Sequence, residues 1–210
     1  MSNVIVIGGG AAGLMAAGAA AKAGNDVILL EKNDRVGKKL GITGKGRCNV
    51  TNDCSIEDFM KNVRANSRFL YSALTAFPPS AAMSFFQSLG VKLKVERGNR
   101  VFPESDSAAE IVSALKSNAV KYGVKIVRQR ARRVAVREGK VAGVETDGGT
   151  YSCKSVLIAS GGASYAGTGS DGWGYSEAKR LGHRIVSLRP SLVPLEAEQE
   201  FCRKLKGLSL

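Results

Sequence analysis

Gly8, Gly10 and Gly13, in the run Gly8-Gly9-Gly10-Ala11-Ala12-Gly13, have G-x-G-x-x-G spacing and stand directly behind an apolar stretch, Val4 to Ile7. The first glycine of such a run lets the chain turn sharply out of a strand. The second lets backbone approach a pyrophosphate, and the third lets a helix pack closely on a sheet. The residues that follow, through Ala17 to a stop at Gly24, are nearly all small and read as a helix. Its free N–H groups and dipole favour an anionic phosphate. Val27 to Leu30 then reads as a second strand, and Glu31 at its tip offers a carboxylate to a pair of ribose hydroxyls. A glycine fingerprint alone is a weak signal, because Gly-rich turns arise by chance. Strand, turn, helix, strand and acid within about thirty residues form the full context that the fingerprint requires. The unit reads as an adenine-dinucleotide site, and Glu31 favours FAD or NAD over a nucleotide carrying a 2′-phosphate. The bland alternative is a Gly/Ala-rich helix packed for structural reasons only.

The elements that must position this unit are less regular. After Glu31 comes a polar loop of about twenty residues, KNDRVGKKLGITGKGRCNVTND, and loops of that length inside compact domains are usually functional or disordered. Lys38, Lys39, Lys45 and Arg47 give it donors for phosphate or electron-rich ring atoms. Residues 55–90 read as helical, with Phe69, Leu70, Ala73 and Leu74 on one face and a second helix from Pro78-Pro79 carrying Met83, Phe85, Phe86 and Leu89. These aromatics are expected in core or lid packing. Short strands follow near Leu93–Val95 and Val101–Phe102, and Ser107 with Glu110 forms a capping box for a helix ending at Gly123. Lys125–Arg128, Arg133–Arg137, Val141–Thr146 and Thr150–Cys153 read as a β-meander, with hairpin signals at Glu138-Gly139 and Asp147-Gly148-Gly149. Ser155 to Ala159 reads as a further buried parallel strand ending in Ser160-Gly161-Gly162, where open α/β sheets bind ligands. A helix from Gly174 to Leu181 closes at Gly182 and His183, the lone histidine, whose position suits carbonyl capping better than catalysis.

Composition narrows the function classes. The 210 residues suit one large domain or one and a half. No apolar run approaches the roughly 18–20 residues that span a bilayer, and Met1-Ser2-Asn3 leads straight into the first strand, so no signal segment is expected. Cys48, Cys54, Cys153 and Cys202 show neither C-x-x-C nor metal spacing, which fits reduced thiols in a cytoplasmic protein and no metal site. A net charge of +13 raises the question of nucleic acid. The basic residues are scattered, however, and show no interleaving with aromatics for stacking bases, so a nucleic-acid partner is not expected.

Several blocks carry a family resemblance: GGGAAGLMAAGAAAKAG, LEKNDRVGKKLGITGKGRCNVTN, GNRVFPESDSAAEIV, VLIASGGASYAGTGSDGWGYSEAKRLGH and LRPSLVPL. Together they resemble the BaiN-like, or aminoacetone-oxidase-like, flavoproteins across the whole chain, and GRCNVTN is far more selective than the glycine fingerprint. The resemblance implies an α/β fold: a Rossmann-like FAD-binding domain of the two-dinucleotide-binding-domain type, with a helical insert at about 55–90 and a β-meander at about 125–154. It implies Gly8, Gly10, Ala11, Ala12 and Gly13 at the pyrophosphate, Glu31 at the adenosine ribose, and Lys32 and Lys38 nearby. Thr43, Gly44, Gly46, Arg47, Cys48 and Asn49 would pass close to the flavin, with Lys45 or Arg47 able to stabilise its anionic reduced form. Val134 would meet the adenine through its backbone, and Ala159, Ser160 and Gly161 would form the strand end, with Ser in place of the family's Thr. Ala166 stands where a proline is common. Family members are about twice as long, so residues 1–190 are expected to be the N-terminal part of the FAD domain and 191–210 the start of an inserted substrate domain. The C-terminal remainder is then expected to be needed for the complete site.

The implied activity is an FAD-dependent oxidoreductase passing hydride between a small organic substrate and flavin N5, with NAD(P)H a candidate electron donor. No Ser-His-Asp set or carboxylate pair suggests separate catalytic machinery, and Cys48 lacks a resolving partner, so a packing or flavin-contact role is expected of it. Three other readings stay open: an NAD-dependent dehydrogenase, a flavin-linked RNA-binding or RNA-modifying protein, and an inactive half-domain.

Overall fold

In the computed structural model, which describes residues 2–190 and 198–205, the first apolar run forms β1 (Ser2–Ile7) and the second forms β2 (Val27–Glu31). They pair in parallel, from Val4 against Val27 to Ile7 against Leu30, with α1 (Ala11–Lys22) as the crossover. All five residues of β2 are buried, the mark of a strand covered on both faces. α1 turns Leu14, Ala17, Gly18 and Ala21 inward. Its small residues admit α5 (Ala108–Lys121) closely: a Cβ on Gly18 would stand 3.1 Å from Asn118 Nδ2. α5 buries Ala108, Ile111, Leu115 and Ala119, spaced to keep one helical face. These helices and Val6, Val27 and Leu29 make the larger core cluster. The fold is a Rossmann-type α/β unit.

The second half departs from the sequence reading in its strands. Lys125–Arg128 forms β6 but lies outside the meander: it pairs in parallel with β2, Ile28 against Lys125 through Glu31 against Arg128. A four-residue strand carries no mark of its neighbour's direction, whereas the helix α5 just before it allows a parallel return. The runs at Thr150–Cys153 and Ser155–Ala159 are one strand, β9 (Gly149–Ile158). It pairs antiparallel with β8 (Lys140–Thr146), then parallel with β1. The polar Lys154-Ser155 pair is simply exposed within a continuous strand. β9 is also less buried than its apolar run suggested, because Val156 packs on a core cluster while Leu157 on the opposite face stays 40% exposed. With β7 (Ala131–Arg137), the sheet order is β6-β2-β1-β9-β8-β7. Ile5, Ile7, Ile28 and Leu30 on the second face pack against Ala131, Val134, Val144 and Cys153 of the meander strands.

β7 is an edge strand, and α6 (Trp173–Arg180) covers its open side. Glu177 Oε1 accepts from the Val134 N–H at 2.6 Å, and Arg180 Nη2 donates to the Val134 carbonyl at 2.6 Å. The two side chains also pair with each other at 2.6 and 2.9 Å. An acid and a base thus do for Val134 what a neighbouring strand would do. The Arg180 hydrogen bonds hold the Glu177 carboxyl below its usual range against the opposing effect of burial, and the Val134 N–H assists. A depressed folded pKa gives stability that is complete above the ordinary glutamate value, about 4.3, and is lost as pH falls through the lower folded value. Glu177→Gln is therefore expected to cost roughly 2 kcal/mol at neutral pH. In melts from pH 7 downward, its deficit against the parent should shrink below about pH 4.

Three helices occupy the stretch after the polar loop: α2 (Ile56–Lys61), α3 (Ser67–Ala76) and α4 (Pro79–Ser88). α4 delivers Phe86 to the core, with the Phe85 ring centroid 5.3 Å from that of Phe86. α3 buries no residue and leaves Phe69 85% exposed, so the aromatics divide between core and surface. A small antiparallel sheet joins β3 (Thr51–Asn52), β5 (Arg100–Pro103) and β4 (Leu93–Glu96) in that order. The capping box does not form. Ser107 is the N-cap of α5 without a side-chain bond, and Glu110 instead accepts from Ser105 Oγ. Residues 191–197 and 206–210, expected to open a further domain, lie outside the described residues; α7 (Glu200–Lys204) lies between them. Among the described residues no helix is long and apolar enough to cross a membrane.

Candidate functional site

The carboxyl ends of β1, β2 and β9 lie side by side, with β1 between the other two. Chain connections leave β1 in one direction and return beside it from the other, so a cleft must open at these strand ends. The cleft has a volume of ≈ 470 Å³ and is lined by the tips of all three strands, the first turn of α1, the front of the polar loop and the loop before α6. That volume falls within the usual range for small-molecule sites.

The glycines at its floor divide their tasks. Gly8 takes φ +106° as the chain leaves β1, and its N–H donates to Leu30 O at 2.8 Å, joining the turn to β2. Gly13 lies beneath that turn, where a Cβ would fall 1.7 Å from Gly8 O. Gly10 differs from both, because a Cβ there would meet nothing within 4 Å. Gly10, Ala11 and Ala12 line the cleft, and no side chain caps the N-terminus of α1. The first-turn N–H groups are free to receive an anion, and the missing Cβ of Gly10 leaves room for it.

Glu31, 7% exposed, is the buried carboxylate at the β2 tip. Its Oε2 accepts from the Gly9 N–H at 2.8 Å, and its Oε1 accepts from the Asn33 N–H and Asn33 Nδ2, each at 2.8 Å. These bonds fix the carboxylate between the glycine turn and the cleft wall, as a ribose acceptor must be fixed. Lys32, Lys38, Lys39 and Arg130 line the cleft against Glu31 and Asp171, an excess of positive charge suited to a pyrophosphate. Uncapped helix, open glycine, ordered carboxylate and surplus cations together fit a dinucleotide.

Of the residues expected at the site, Gly8, Gly10, Ala11, Ala12, Glu31, Lys32, Lys38, Thr43, Ala159, Ser160 and Gly161 line the cleft. Gly13 supports it from beneath. Gly44, Gly46, Arg47, Cys48, Asn49 and Val134 lie outside its lining. Val134 has its N–H and carbonyl committed to Glu177 and Arg180. The polar loop splits at Thr43: Lys38, Lys39, Leu40 and Thr43 form wall, and the rest is anchored on the small sheet. Arg47 pairs with Glu96, and with Asp106 at 2.7 Å, while its guanidinium stacks 4.2 Å from the Phe102 centroid. Lys94 also reaches Asp106 at 2.7 Å. Asp106 is held below the usual carboxylate range by Lys94 and Arg47, and Glu96 by Arg47. In the orientation that satisfies its neighbours, the Asn49 amide donates to Thr51 O and Val101 O at 2.9 and 3.2 Å.

Cys48 is 1% exposed in the core, where burial pushes its thiol pKa up and a Thr43 hydrogen bond only partly offsets this. It is a packing residue. Cys153 is likewise buried and raised by burial, whereas Cys54 is half-buried. Alkylation of the native chain at pH 8 should label Cys54 well before Cys48 and Cys153, as peptide mass mapping would report. Equal rates would contradict the burial.

Sequence reasoning missed Gln129, Arg130 and Ala131, Asn33 and the loop Thr168–Asp171 with Trp173, all of which line the cleft. The first three follow from one error. Once β6 is a parallel strand beside β2, its carboxyl end belongs at the same edge as theirs. The signal for the loop was its Gly- and Ser-rich composition after β9.

Comparison with known proteins agrees with this architecture. The family model described as the HI0933-like protein Rossmann domain matches residues 2–197. A 3-dehydro-bile acid delta(4,6)-reductase of Clostridium scindens is 35% identical over 213 residues, covering 99% of this chain and 51% of that protein. A ribosomal RNA dihydrouridine synthase of Haemophilus influenzae is 30% identical over 216 residues, covering 100% of this chain and 53% of that protein. The chain therefore spans about half the length of the curated relatives it matches. Among solved structures, the open conformation of a flavocytochrome c3 fumarate reductase superposes with a TM-score of 0.65 at 24% identity, covering 86% of this chain and 40% of that one. That likeness speaks for the fold alone.

Proposed function

The chain belongs to the family of the HI0933-like protein Rossmann domain, and from that premise we propose that it forms the FAD-holding part of an oxidoreductase. The observation that carries this reading is the cleft itself: an open glycine and an uncapped helix start beside a buried, hydrogen-bonded Glu31. In this reading the first-turn N–H groups of α1 with Lys38 and Lys39 hold the pyrophosphate, and Glu31 accepts from the adenosine ribose. Gln129 to Ala131 and Trp173 wall the adenosine end, and Thr43 and Ala159 to Gly161 wall the other direction. Bound there, the flavin would supply hydride exchange with an organic substrate at N5. The protein's part is to orient it and exclude water. NAD(P)H is the proposed electron donor. The reductase name of the Clostridium scindens relative supports the same chemistry in the longer protein.

The reading is tested by loading the chain with FAD and titrating it anaerobically with NADH and with NADPH. Bleaching of the visible flavin band that reverses in air is the expected result; a bound flavin that neither nicotinamide reduces would remove NAD(P)H as donor. A second reading, an RNA substrate in place of a small molecule, is favoured by the net charge of +13 and by the name of the Haemophilus influenzae relative. Steeply salt-dependent binding of ribosomal RNA fragments would select it.

A further inference from the structure

The cleft holds a second carboxylate that the glycine fingerprint does not assign. Asp171 Oδ2 accepts from Lys32 Nζ at 2.6 Å and lies 3.7 Å from Arg130 Nη1. Its Oδ1 accepts from the Trp173 N–H, the first of α6, at 3.2 Å. Lys32 follows Glu31 directly, Arg130 comes from the link after β6, and Asp171 from the loop before α6. Three elements distant in sequence thus meet at the tip of β2, and all three residues line the cleft. The loop is seated firmly. Asn33 Nδ2 bridges Glu31 Oε1 at 2.8 Å and Thr168 O at 3.2 Å. At Gly169 a Cβ would come within 2.7 Å of Asn33 Nδ2 and 3.2 Å of Lys32 Cε.

The chemistry at this tip is a matter of charge. A 2′-phosphate on an adenosine ribose is received by arginine or lysine near the end of the second strand. Here two such cations stand beside the ribose acceptor, and one carboxylate is shared between them. We propose that Asp171 is a specificity-determining residue: by engaging Lys32 and Arg130 it withholds both from a 2′-phosphate and, with Glu31, reserves the adenosine end for nucleotides with a free 2′-hydroxyl. This rests on the dinucleotide reading of the cleft. It extends that reading from one acid to a pair with separate tasks, since Glu31 meets the hydroxyls and Asp171 occupies the cations.

The test is calorimetric titration of the 210-residue chain with ADP-ribose and with 2′-phospho-ADP-ribose. The parent is expected to prefer ADP-ribose. Asp171→Ser removes the charge while leaving a hydroxyl that can still cap the Trp173 N–H. It is expected to narrow the preference about tenfold, the scale of one freed charge-assisted contact. Adding Lys32→Met should abolish most of that gain, and raising the salt should erode it, because the freed cations are at the rim. Asp171→Asn serves as a second charge-neutral variant. An unchanged ratio in either folded variant, with ADP-ribose still bound, overturns the inference and leaves the dinucleotide reading standing. Failure of the parent to bind ADP-ribose overturns both.

Discussion

Replacing Gly13 by alanine lowers the unfolding free energy by about 3 kcal/mol, a large loss for one methyl group. The Cβ would fall 1.7 Å from Gly8 O, and that oxygen belongs to backbone that cannot retreat. Gly8 is tied to Leu30 O, and a Cβ on Gly8 itself would stand 2.5 Å from Ala159 O, so β1, β2 and the end of β9 crowd this one turn. Urea unfolding should show a lower midpoint at an unchanged slope. Gly10→Ala makes the informative contrast. Its Cβ meets no protein atom within 4 Å and its φ of −78° suits alanine, so stability should change by no more than about 0.5 kcal/mol. Nucleotide binding should nevertheless fall, because the methyl group projects into the space a pyrophosphate needs. A Gly13→Ala chain as stable as the parent would refute the packing described for the turn.

Glu31→Ala should weaken FAD binding roughly 10- to 100-fold, the equivalent of one to two strong hydrogen bonds to a charged acceptor. Part of the loss comes from the cofactor's ribose. The rest comes from the protein, because Gly9 N–H and both Asn33 donors lose their common acceptor and the turn and the cleft wall part company. Fluorescence titration of FAD against parent and variant measures the ratio. Affinity unchanged within about twofold would mean that Glu31 serves the fold alone.

These two residues were also the most legible in the sequence. A G-x-G-x-x-G between two apolar runs leaves few arrangements open, and an acid at the end of the second strand has one natural place. The strand ends were legible for the same reason: Ala159 to Gly161 follow an apolar run at the edge where open α/β sheets bind ligands. What the sequence hid was pairing. Nothing in Lys125–Arg128 tells a meander strand from a parallel edge strand, and with that direction misjudged, Gln129 to Ala131 were not placed at the cleft. The polar loop hid its division. Arg47 resembles a phosphate donor until Glu96 and Asp106, about fifty residues onward and brought back by a small sheet, are seen to hold it. Long-range ion pairs such as this, and Lys32 with Asp171, leave no local trace in composition or periodicity.

The most direct measurement is the visible absorbance of the purified chain after incubation with FAD and removal of free flavin by desalting. Flavin bands that stay with the protein at one per chain and are displaced by ADP-ribose are the expected result. A chain whose flavin ignores ADP-ribose, or that emerges colourless and also binds no ADP-ribose, would contradict the assignment of this cleft.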